Sequence, residues 1–507
     1  MNRFRALREQ LALAALLAGS ALGLALAFPR TDWDGVAWVA VVPVIAMALA
    51  RPPGVALAWG WLFGLVFFLV LLRWLDFTFQ VYSAIPWPLT WGPIGLLAAY
   101  CGLYVGIFAW AVSWIGRRRS PTLALAASPF LWVAAEWVRG RLMGGFPWGE
   151  LGYSQYLRLP VIQIAELGGV HAVSFVLLSV NAALTGCLAL AWRRALVGLG
   201  VGAALVSAAL GFGMSRLAEP SPPGEVRVAL IQPSIAQPLK ADPGYAATTL
   251  GIATSLTRRV GTEHPDLIVW PETSLPAVLR REPRMLAGLQ ALSRELRAPI
   301  LVGTIDVDET SPPRLYNTAF FLTERGIAGR YDKIHLVPFG EYVPLSTVIG
   351  FVRGWAEFIA DLEPGARAVV FPGPPAPLGV VICYEGIFPE LMREFVRGGA
   401  RLMVNMTNDA WFGRTDGPWQ HLAMYPFRAV EHRTAVVRAA NTGVSAVIAP
   451  SGQIIRRLTL FRRGAVSEPV PLRSRLTLYT RFGEWLAYLS LAVSAGALGA
   501  AARRRSA

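Results

Sequence analysis

Three short stretches of this chain carry reactive side chains of complementary type. They are Trp270-Pro271-Glu272-Thr273, the run from Tyr331 to Glu341 that contains Lys333, and Val380-Val381-Ile382-Cys383-Tyr384-Glu385-Gly386. The first and third put a reactive group at or just after the end of a β-rich run, where α/β folds commonly carry catalytic groups. A thiol attacks only as its thiolate, and a neighbouring carboxylate can take the proton. The tetrahedral intermediate of acyl transfer gathers negative charge on oxygen, which an ammonium and a backbone N–H would stabilise. Glu272 as base, Lys333 as electrostatic stabiliser and Cys383 as nucleophile meet those three needs.

Each residue also has a plainer reading. Cys383 could be a buried strand-end thiol. Glu272 could be a solvated turn carboxylate or a helix cap, and Lys333 a surface charge paired with Asp332. For Glu341 and Glu385 a structural ion pair competes with a direct part in chemistry. Composition favours function for the lysine: all but two of the 47 basic residues are arginine, the exceptions being Lys240 and Lys333. A lysine kept against that background suggests a task for a compact charge with an adjustable pKa. Cys101 and Cys187 lie in apolar runs and read as small hydrophobes, and three cysteines make no disulfide framework. His335, His421 and His432 lack close ligand spacing and read as structural, so neither a metal nor a cofactor is expected. No Gly-x-Ser-x-Gly elbow occurs. Gly198, Gly200 and Gly202 sit in an apolar run, where helix packing explains them better than nucleotide binding.

The elements that must position these groups fall into two kinds. The chain has 507 residues, of which 54% are hydrophobic and 16% charged. Soluble domains carry about 25% charged residues, so the deficit indicates a membrane protein. About 20 apolar residues cross a bilayer as a helix. Eight spans are expected: Leu11–Phe28, Trp38–Ala50, Val55–Leu72, Pro93–Ile115, Leu123–Val138, Val170–Trp192, Ala195–Met214 and Trp485–Ala502. The net charge of +15 is clustered between apolar runs, which fits orientation signals and anionic lipid better than nucleic acid. Arg3, Arg5 and Arg8, then Arg51, Arg117 to Arg119, Arg193 with Arg194, and Arg503 to Arg505 occupy every second loop and both termini. The opposite loops carry fewer: Arg30, Arg139, Arg141 and Arg158, with Arg73 at a span edge. The positive-inside rule puts the richer set in the cytoplasm and the long segment before the last span outside. The basic, apolar N-terminus reads as a first helix and not as a cleaved signal peptide.

The expected organisation is a helical membrane domain over residues 1–215, a second domain over 220–475 and a final helix over 485–502. In the second domain, β-rich runs at Val226–Gln232, Asp266–Trp270, Ile300–Thr304, Ala319–Thr323, Val380–Cys383, Leu402–Asn405 and Ser445–Ala449 alternate with helical stretches such as Pro283–Arg297 and Pro389–Gly398. That pattern indicates an α/β or layered α+β fold. Tyr342–Ala360, with Phe351, Trp355 and Phe358, reads equally as an arm dipping into the membrane surface or as ordinary packing. Trp411 and Phe412 could line an acyl channel or fill a core.

The order Glu272, Lys333, Cys383 with these flanking residues resembles the nitrilase, or carbon–nitrogen hydrolase, superfamily. The multispan region with a final helix, the stretches His335–Pro344 and Asn405–Gly413, and Gly145-Phe146-Pro147-Trp148 with Leu151-Gly152-Tyr153-Ser154-Gln155 are similar to its membrane branch, the apolipoprotein N-acyltransferases. The resemblance implies an α-β-β-α sandwich joined to about eight transmembrane helices. It implies transfer of an acyl chain from a phospholipid, commonly phosphatidylethanolamine, through a Cys383 thioester to the α-amino group of an S-diacylglyceryl cysteine. Glu341, Glu385 and Asn317 then support the Glu272–Lys333–Cys383 triad, and Tyr384 offers its N–H to the oxyanion. Trp148 joins Trp411 and Phe412 along the substrate channel. The implied setting is a bacterial inner membrane with the catalytic domain in the periplasm, and the partners are membrane lipid and lipoprotein, not nucleic acid. Similar proteins often carry Trp after the lysine matching Lys240, where this chain has Ala241. The competing readings are a membrane-tethered amidase or nitrilase for a small soluble substrate, and a catalytically silent lipid-binding protein. A transporter fits less well, because the spans carry few charges beyond Glu136 and Glu166.

Overall fold

The computed structural model describes residues 2–220, 224–275, 277–343, 361–373, 375–473 and 475–503. Of the expected arm at Tyr342–Ala360, all but the first two residues lie outside the described residues. The chain divides into two compact units. One comprises residues 1–76, 88–218 and 482–507, the other residues 77–87 and 219–481.

The first unit is a helical bundle. Seven helices are long and apolar enough to cross a membrane, by length and composition: Leu7–Leu26, Pro53–Leu71, Trp91–Arg118, Pro121–Arg139, Val170–Ala189, Trp192–Leu217 and Trp485–Ala502. The expected span at Trp38–Ala50 differs. It folds as a tight turn, Asp34–Trp38, and a nine-residue helix, Val42–Ala50, with a proline in its first turn. At 1.5 Å per residue that helix reaches about 14 Å, half of a hydrocarbon core of about 30 Å. Cys187 also departs from expectation: it lies on the exposed side of its helix, not in a packed interior.

Small residues set the closest helix contact. Gly60 and Gly64 on Pro53–Leu71 face Gly102 and Gly106 on Trp91–Arg118. A Cβ on Gly64 would stand 2.6 Å from the Gly102 Cα, and one on Gly60 would stand 2.6 Å from the Ala109 Cβ. This is small-xxx-small packing from both sides. The Gly198, Gly200 and Gly202 series is looser, with nothing near Gly200. At one end of the bundle Arg117 donates to the carbonyls of Arg51 and Ala50, and Arg119 donates to those of Ala500 and Arg503. Arg51, Arg117, Arg119 and Arg503 therefore share one end.

The second unit holds twelve described strands in two six-stranded sheets. They are β1 (Glu225–Gln232), β2 (Leu267–Val269), β3 (Ile300–Val307), β4 (Leu315–Thr323), β5 (Gly326–Asp332), β6 (Val370–Phe371), β7 (Leu378–Ile382), β8 (Leu402–Thr407), β9 (Val436–Ala440), β10 (Ala446–Ile448), β11 (Ile454–Arg457) and β12 (Gly464–Pro471). The orders are β12-β1-β2-β3-β4-β5 and β6-β7-β8-β9-β10-β11. Both sheets follow one pattern: an antiparallel pair, two parallel pairs, then two antiparallel pairs. The chain builds sheet one, builds sheet two, and returns to close sheet one with β12. Sheet meets sheet where β1 packs on β9 and β4 on β7.

Helices cover the outer faces. Ala246–Gly261 and Pro283–Leu296 bury Ala253, Leu256, Val260, Leu289 and Leu292 against Ile268, Ile300, Val302, Phe320 and Leu322. Each such leucine contributes about 1.5–3 kcal/mol by burial. Pro389–Arg397 turns Leu391, Met392, Phe395 and Val396 inward, a spacing that forms one helical face, and packs on β7. Tyr425–His432 covers β9 and β10. This is an α-β-β-α sandwich. The segment 77–87, drawn from between two bundle helices, folds with it. Thr78 Oγ1 donates to the Trp411 carbonyl at 2.8 Å and Tyr82 Oη to that of Ala410 at 3.3 Å.

Candidate active site

Strand direction explains how distant residues meet. β1, β2 and β3 run parallel, β4 reverses and β5 reverses again, so β2 and β5 end on the same edge of sheet one. Glu272 follows β2 and Lys333 follows β5 directly. Cys383 follows β7 in the same way on sheet two.

Cys383 opens a short 3-10 turn, Cys383–Ile387, with φ of +52°. A side chain other than glycine seldom holds that left-handed geometry unless its surroundings fix it. Here they do. The Cys383 carbonyl accepts from Asn405 Nδ2 at 3.3 Å and Tyr425 Oη at 3.2 Å. Glu385 secures the other side. Its Oε1 accepts from Tyr331 Oη at 2.8 Å and from the Ile334 and His335 amides at 2.6 and 3.1 Å, and its Oε2 from the Ile382 amide at 2.6 Å. Burial pushes the Glu385 carboxyl up to about 7 against the pull of those donors. Glu385 is thus a clamp between the Cys383 turn and the end of β5. These four donors are neutral, whereas Glu341 is ion-paired.

The Lys333 ammonium is buried between two carboxylates. Nζ donates to Glu341 Oε1 at 2.8 Å and stands 3.7 Å from Glu272 Oε1. Burial works against its charge, but Glu341 and then Glu272 outweigh it and hold the group above the usual lysine range. Lys333 therefore keeps its proton and acts as a fixed positive charge. It does not pair with Asp332, which binds Thr318 and Arg330. Asn317 ties the acids together, donating through Nδ2 to Glu272 Oε1 at 2.8 Å and Glu341 Oε1 at 3.1 Å. Glu272 is buried, and its Oε2 has no hydrogen-bond partner among the described residues. That oxygen can accept a proton. Burial, reinforced by the negative charge of Glu272, pushes the Cys383 thiol up to about 12, while Lys333 draws it down. A resting thiol beside a carboxylate and an ammonium is primed for proton transfer in step with attack, not for standing thiolate.

Beneath Cys383 lies a buried charged network. Arg438 on β9 pairs with Asp409 and donates to Asn405 Oδ1 at 2.7 Å. Asp409 also binds Thr407 at 3.0 Å and His421 at 3.2 Å, and His421 Nε2 meets Tyr425 Oη at 3.2 Å. Burial opposes the Asp409 charge, but Arg438 and His421 hold its carboxyl well below the usual carboxylate range. His421 is thus structural, as is His432, which binds Thr480 Oγ1 at 2.8 Å. His335 stacks on Phe388.

The remaining expected residues are placed as follows. Tyr384 sits one residue beyond the nucleophile, its ring edge-on to Phe388. Trp411 and Phe412 belong to the 3-10 turn that begins at Asp409. Trp411 packs on Tyr82 and Phe412 on His421. Trp148 is in the helical unit, buried between Trp74 and Phe146. Sequence reasoning left Lys240, Tyr425 and Arg438 out of the site. Lysine rarity marked Lys240, and an arginine inside Val436-Val437-Arg438-Ala439-Ala440 marked Arg438; Tyr425 carried no signal.

Gly303 on β3 lets the Glu272 loop lie close. A Cβ there would fall 2.7 Å from the Pro271 oxygen and the Thr273 nitrogen. Gly303→Ala is expected to lower turnover about 100-fold, the cost of a displacement near 1 Å. Substrate KM should change little. Steady-state kinetics of the folded variant checks this, and unaltered turnover would show that the loop tolerates the shift.

Residues 20–183 match the apolipoprotein N-acyltransferase N-terminal domain family and residues 227–474 the carbon-nitrogen hydrolase family. An apolipoprotein N-acyltransferase from Geobacter metallireducens is 37% identical over 100% of this chain and 98% of its own length. The chain belongs to the apolipoprotein N-acyltransferase family. Another member of the family, from Gloeobacter violaceus, is 33% identical over 95% of this chain and 92% of its own. Among solved structures, an amidase from Nesterenkonia sp. AN1 is similar to 50% of this chain over 94% of its own, with 21% identity and a TM-score of 0.38. Lys240, Glu272, Lys333 and Cys383 all fall within the carbon-nitrogen hydrolase match, and Trp148 falls within the other.

Proposed function

We propose that this chain moves an acyl chain from a phospholipid, by way of a thioester on Cys383, onto the α-amino group of the S-diacylglyceryl cysteine that begins a lipoprotein. The observation that carries the reading is the Oε2 of buried Glu272, which has no hydrogen-bond partner among the described residues, in a cluster with Lys333 and Cys383. The relatives named apolipoprotein N-acyltransferase match 100% and 95% of this chain.

In the first half, Glu272 takes the thiol proton as sulfur attacks the ester carbonyl. Lys333 and the Tyr384 N–H stabilise the oxyanion. The intermediate collapses, and the lysophospholipid leaves with the proton held by Glu272. In the second half, the lipoprotein amine attacks the thioester. Glu272 takes a proton from nitrogen and returns it to the departing thiolate. Asn317 and Glu341 hold Glu272 and Lys333 in register, and Glu385 fixes the nucleophile turn. Trp411 and Phe412 line the acyl path in this reading. Tethering both lipid-anchored substrates and the enzyme at one surface raises encounter frequency. Excluding water favours transfer over hydrolysis of the thioester.

Residues 1–215 and 485–502 serve as the membrane anchor and 220–475 as the catalytic domain. The donor is phosphatidylethanolamine, and the catalytic domain works on the periplasmic side of a bacterial inner membrane. The gathered arginines support that orientation: the positive-inside rule puts the end holding Arg51, Arg117 and Arg119 in the cytoplasm.

The test is incubation of the purified chain with acyl-labelled phosphatidylethanolamine and a diacylglyceryl lipopeptide. Label should appear first as a mass increase on Cys383 and then on the lipopeptide amine. A soluble-substrate amidase would hydrolyse small amides and leave the phospholipid intact.

A further inference from the structure

Lys240 has no part in the proton transfers above, yet it is buried in the same cluster. It ends the short helix Gln237–Ala241, and its Nζ donates to the Glu272 carbonyl at 2.8 Å and to Thr273 Oγ1 at 2.6 Å. Thr273 is held at φ of +41°, an unfavourable angle for a β-branched residue. Such strain costs about 1–3 kcal/mol and persists only where neighbours impose it. The two bonds from Lys240 grip the chain on both sides of the Glu272–Thr273 peptide. Both lysines of the chain thus converge on one glutamate, Lys333 at its carboxylate and Lys240 at its backbone. A guanidinium would bring a rigid, larger fork to the point where Lys240 makes two bonds from one nitrogen.

We infer that Lys240 is a positioning residue that fixes Glu272 against Cys383 by pinning its peptide, so that the base meets the thiol. Burial draws the ammonium down to about 8, and the negative charges of Glu272 and Cys383 resist that fall. The grip is therefore strongest below that pH and loosens above it.

The inference rests on the proposed acyl transfer, but its test does not need the phospholipid. The full-length chain in detergent is prepared as wild type, Lys240→Met, Glu272→Gln and the double variant. Iodoacetamide capture of Cys383 is followed by mass of its peptide, and thioester formation from phosphatidylethanolamine is followed in parallel. Lys240→Met is expected to slow Cys383 capture at neutral pH by at least about tenfold, as a misplaced base should. In the Glu272→Gln background the same change should cost nothing further, because Lys240 acts through Glu272. With phospholipid, kcat should fall about 100-fold while KM for the donor stays put. Equal capture rates in wild type and Lys240→Met, or fully additive losses in the double variant, would overturn the inference. If Lys240→Met fails to fold, Lys240→Gln, whose uncharged amide is one bond shorter, takes its place with the same expectations. Wild type that captures iodoacetamide but never forms the thioester would sink the acyl-transfer reading and leave the capture comparison to judge Lys240 alone.

Discussion

Replacing Cys383 by serine is expected to reduce lipopeptide N-acylation by at least about 10⁴-fold, within the range measured when a nucleophile is removed from a catalytic unit. The reason lies in proton affinity. Glu272 can draw a proton from a thiol, even one that burial pushes up to about 12, but a serine hydroxyl holds its proton far more tightly. Lys333 would still sit ready with no oxyanion to meet. Stability should hardly move, since one buried atom of similar shape replaces another. The check is mass spectrometry of the variant after exposure to labelled phospholipid. Neither thioester nor oxygen ester should be seen, and the lipopeptide should stay unmodified. Undiminished N-acylation would remove Cys383 from the mechanism altogether.

Lys333→Met should damage both rate and fold. Its side chain is 1% exposed, with Glu341 at 2.8 Å and Glu272 at 3.7 Å. Deleting the ammonium leaves two carboxylates facing each other in a dry site. Breaking a buried pair by removing one partner costs about 3–5 kcal/mol. The loss should vary with pH, and its sign can be worked out. In wild type Lys333 is held above its ordinary value, so its contribution is complete at and below the unfolded value and fades only in strong alkali. Stability from that pair is therefore flat between about pH 6 and 9. In the variant the two carboxylates repel each other whenever both are ionised. Stability then declines as pH climbs from about 5 to 8. Thermal unfolding across that range checks the slope. Turnover should fall about 10³-fold, since the charge opposite the oxyanion is gone. A variant with wild-type melting behaviour at every pH would mean that the ammonium is not buried between the acids.

Much of the candidate site was legible in the sequence because it is built from residues that are scarce in this chain. One cysteine stood outside the apolar runs, just after a short β-rich run, and only two lysines stood among the arginines. The elements were legible where periodicity was clean. Val226–Gln232 and Pro283–Arg297 correspond to β1 and to the helix Pro283–Leu296 within a residue. β5 escaped notice because Gly326, Gly329 and Arg330 break its apolar pattern, and β12 because Pro469 and Pro471 argue against a strand until it is seen at a sheet edge. β9 was hidden by Arg438, whose partner Asp409 is 29 positions away and brought near only by the parallel β8–β9 pairing. Lys240 shows the same limit. Its rarity was visible, but the carbonyl it grips is 32 residues on. The apolar count at Trp38–Ala50 suggested a span where a turn consumes part of the length.

The return of β12 to sheet one has a consequence for biogenesis. β1 is the first strand of its sheet to be synthesised, yet its outer neighbour is the last, paired along its full length from Glu225–Pro471 to Gln232–Gly464. Until the ribosome has delivered residue 471, β1 presents an unsatisfied edge, open to strand addition by a stray chain. Completion of the domain is thus tied to arrival of the segment that directly precedes the closing apolar helix. A polypeptide stalled before that point would carry both the carboxylate and the thiol and still lack a finished sheet to hold them.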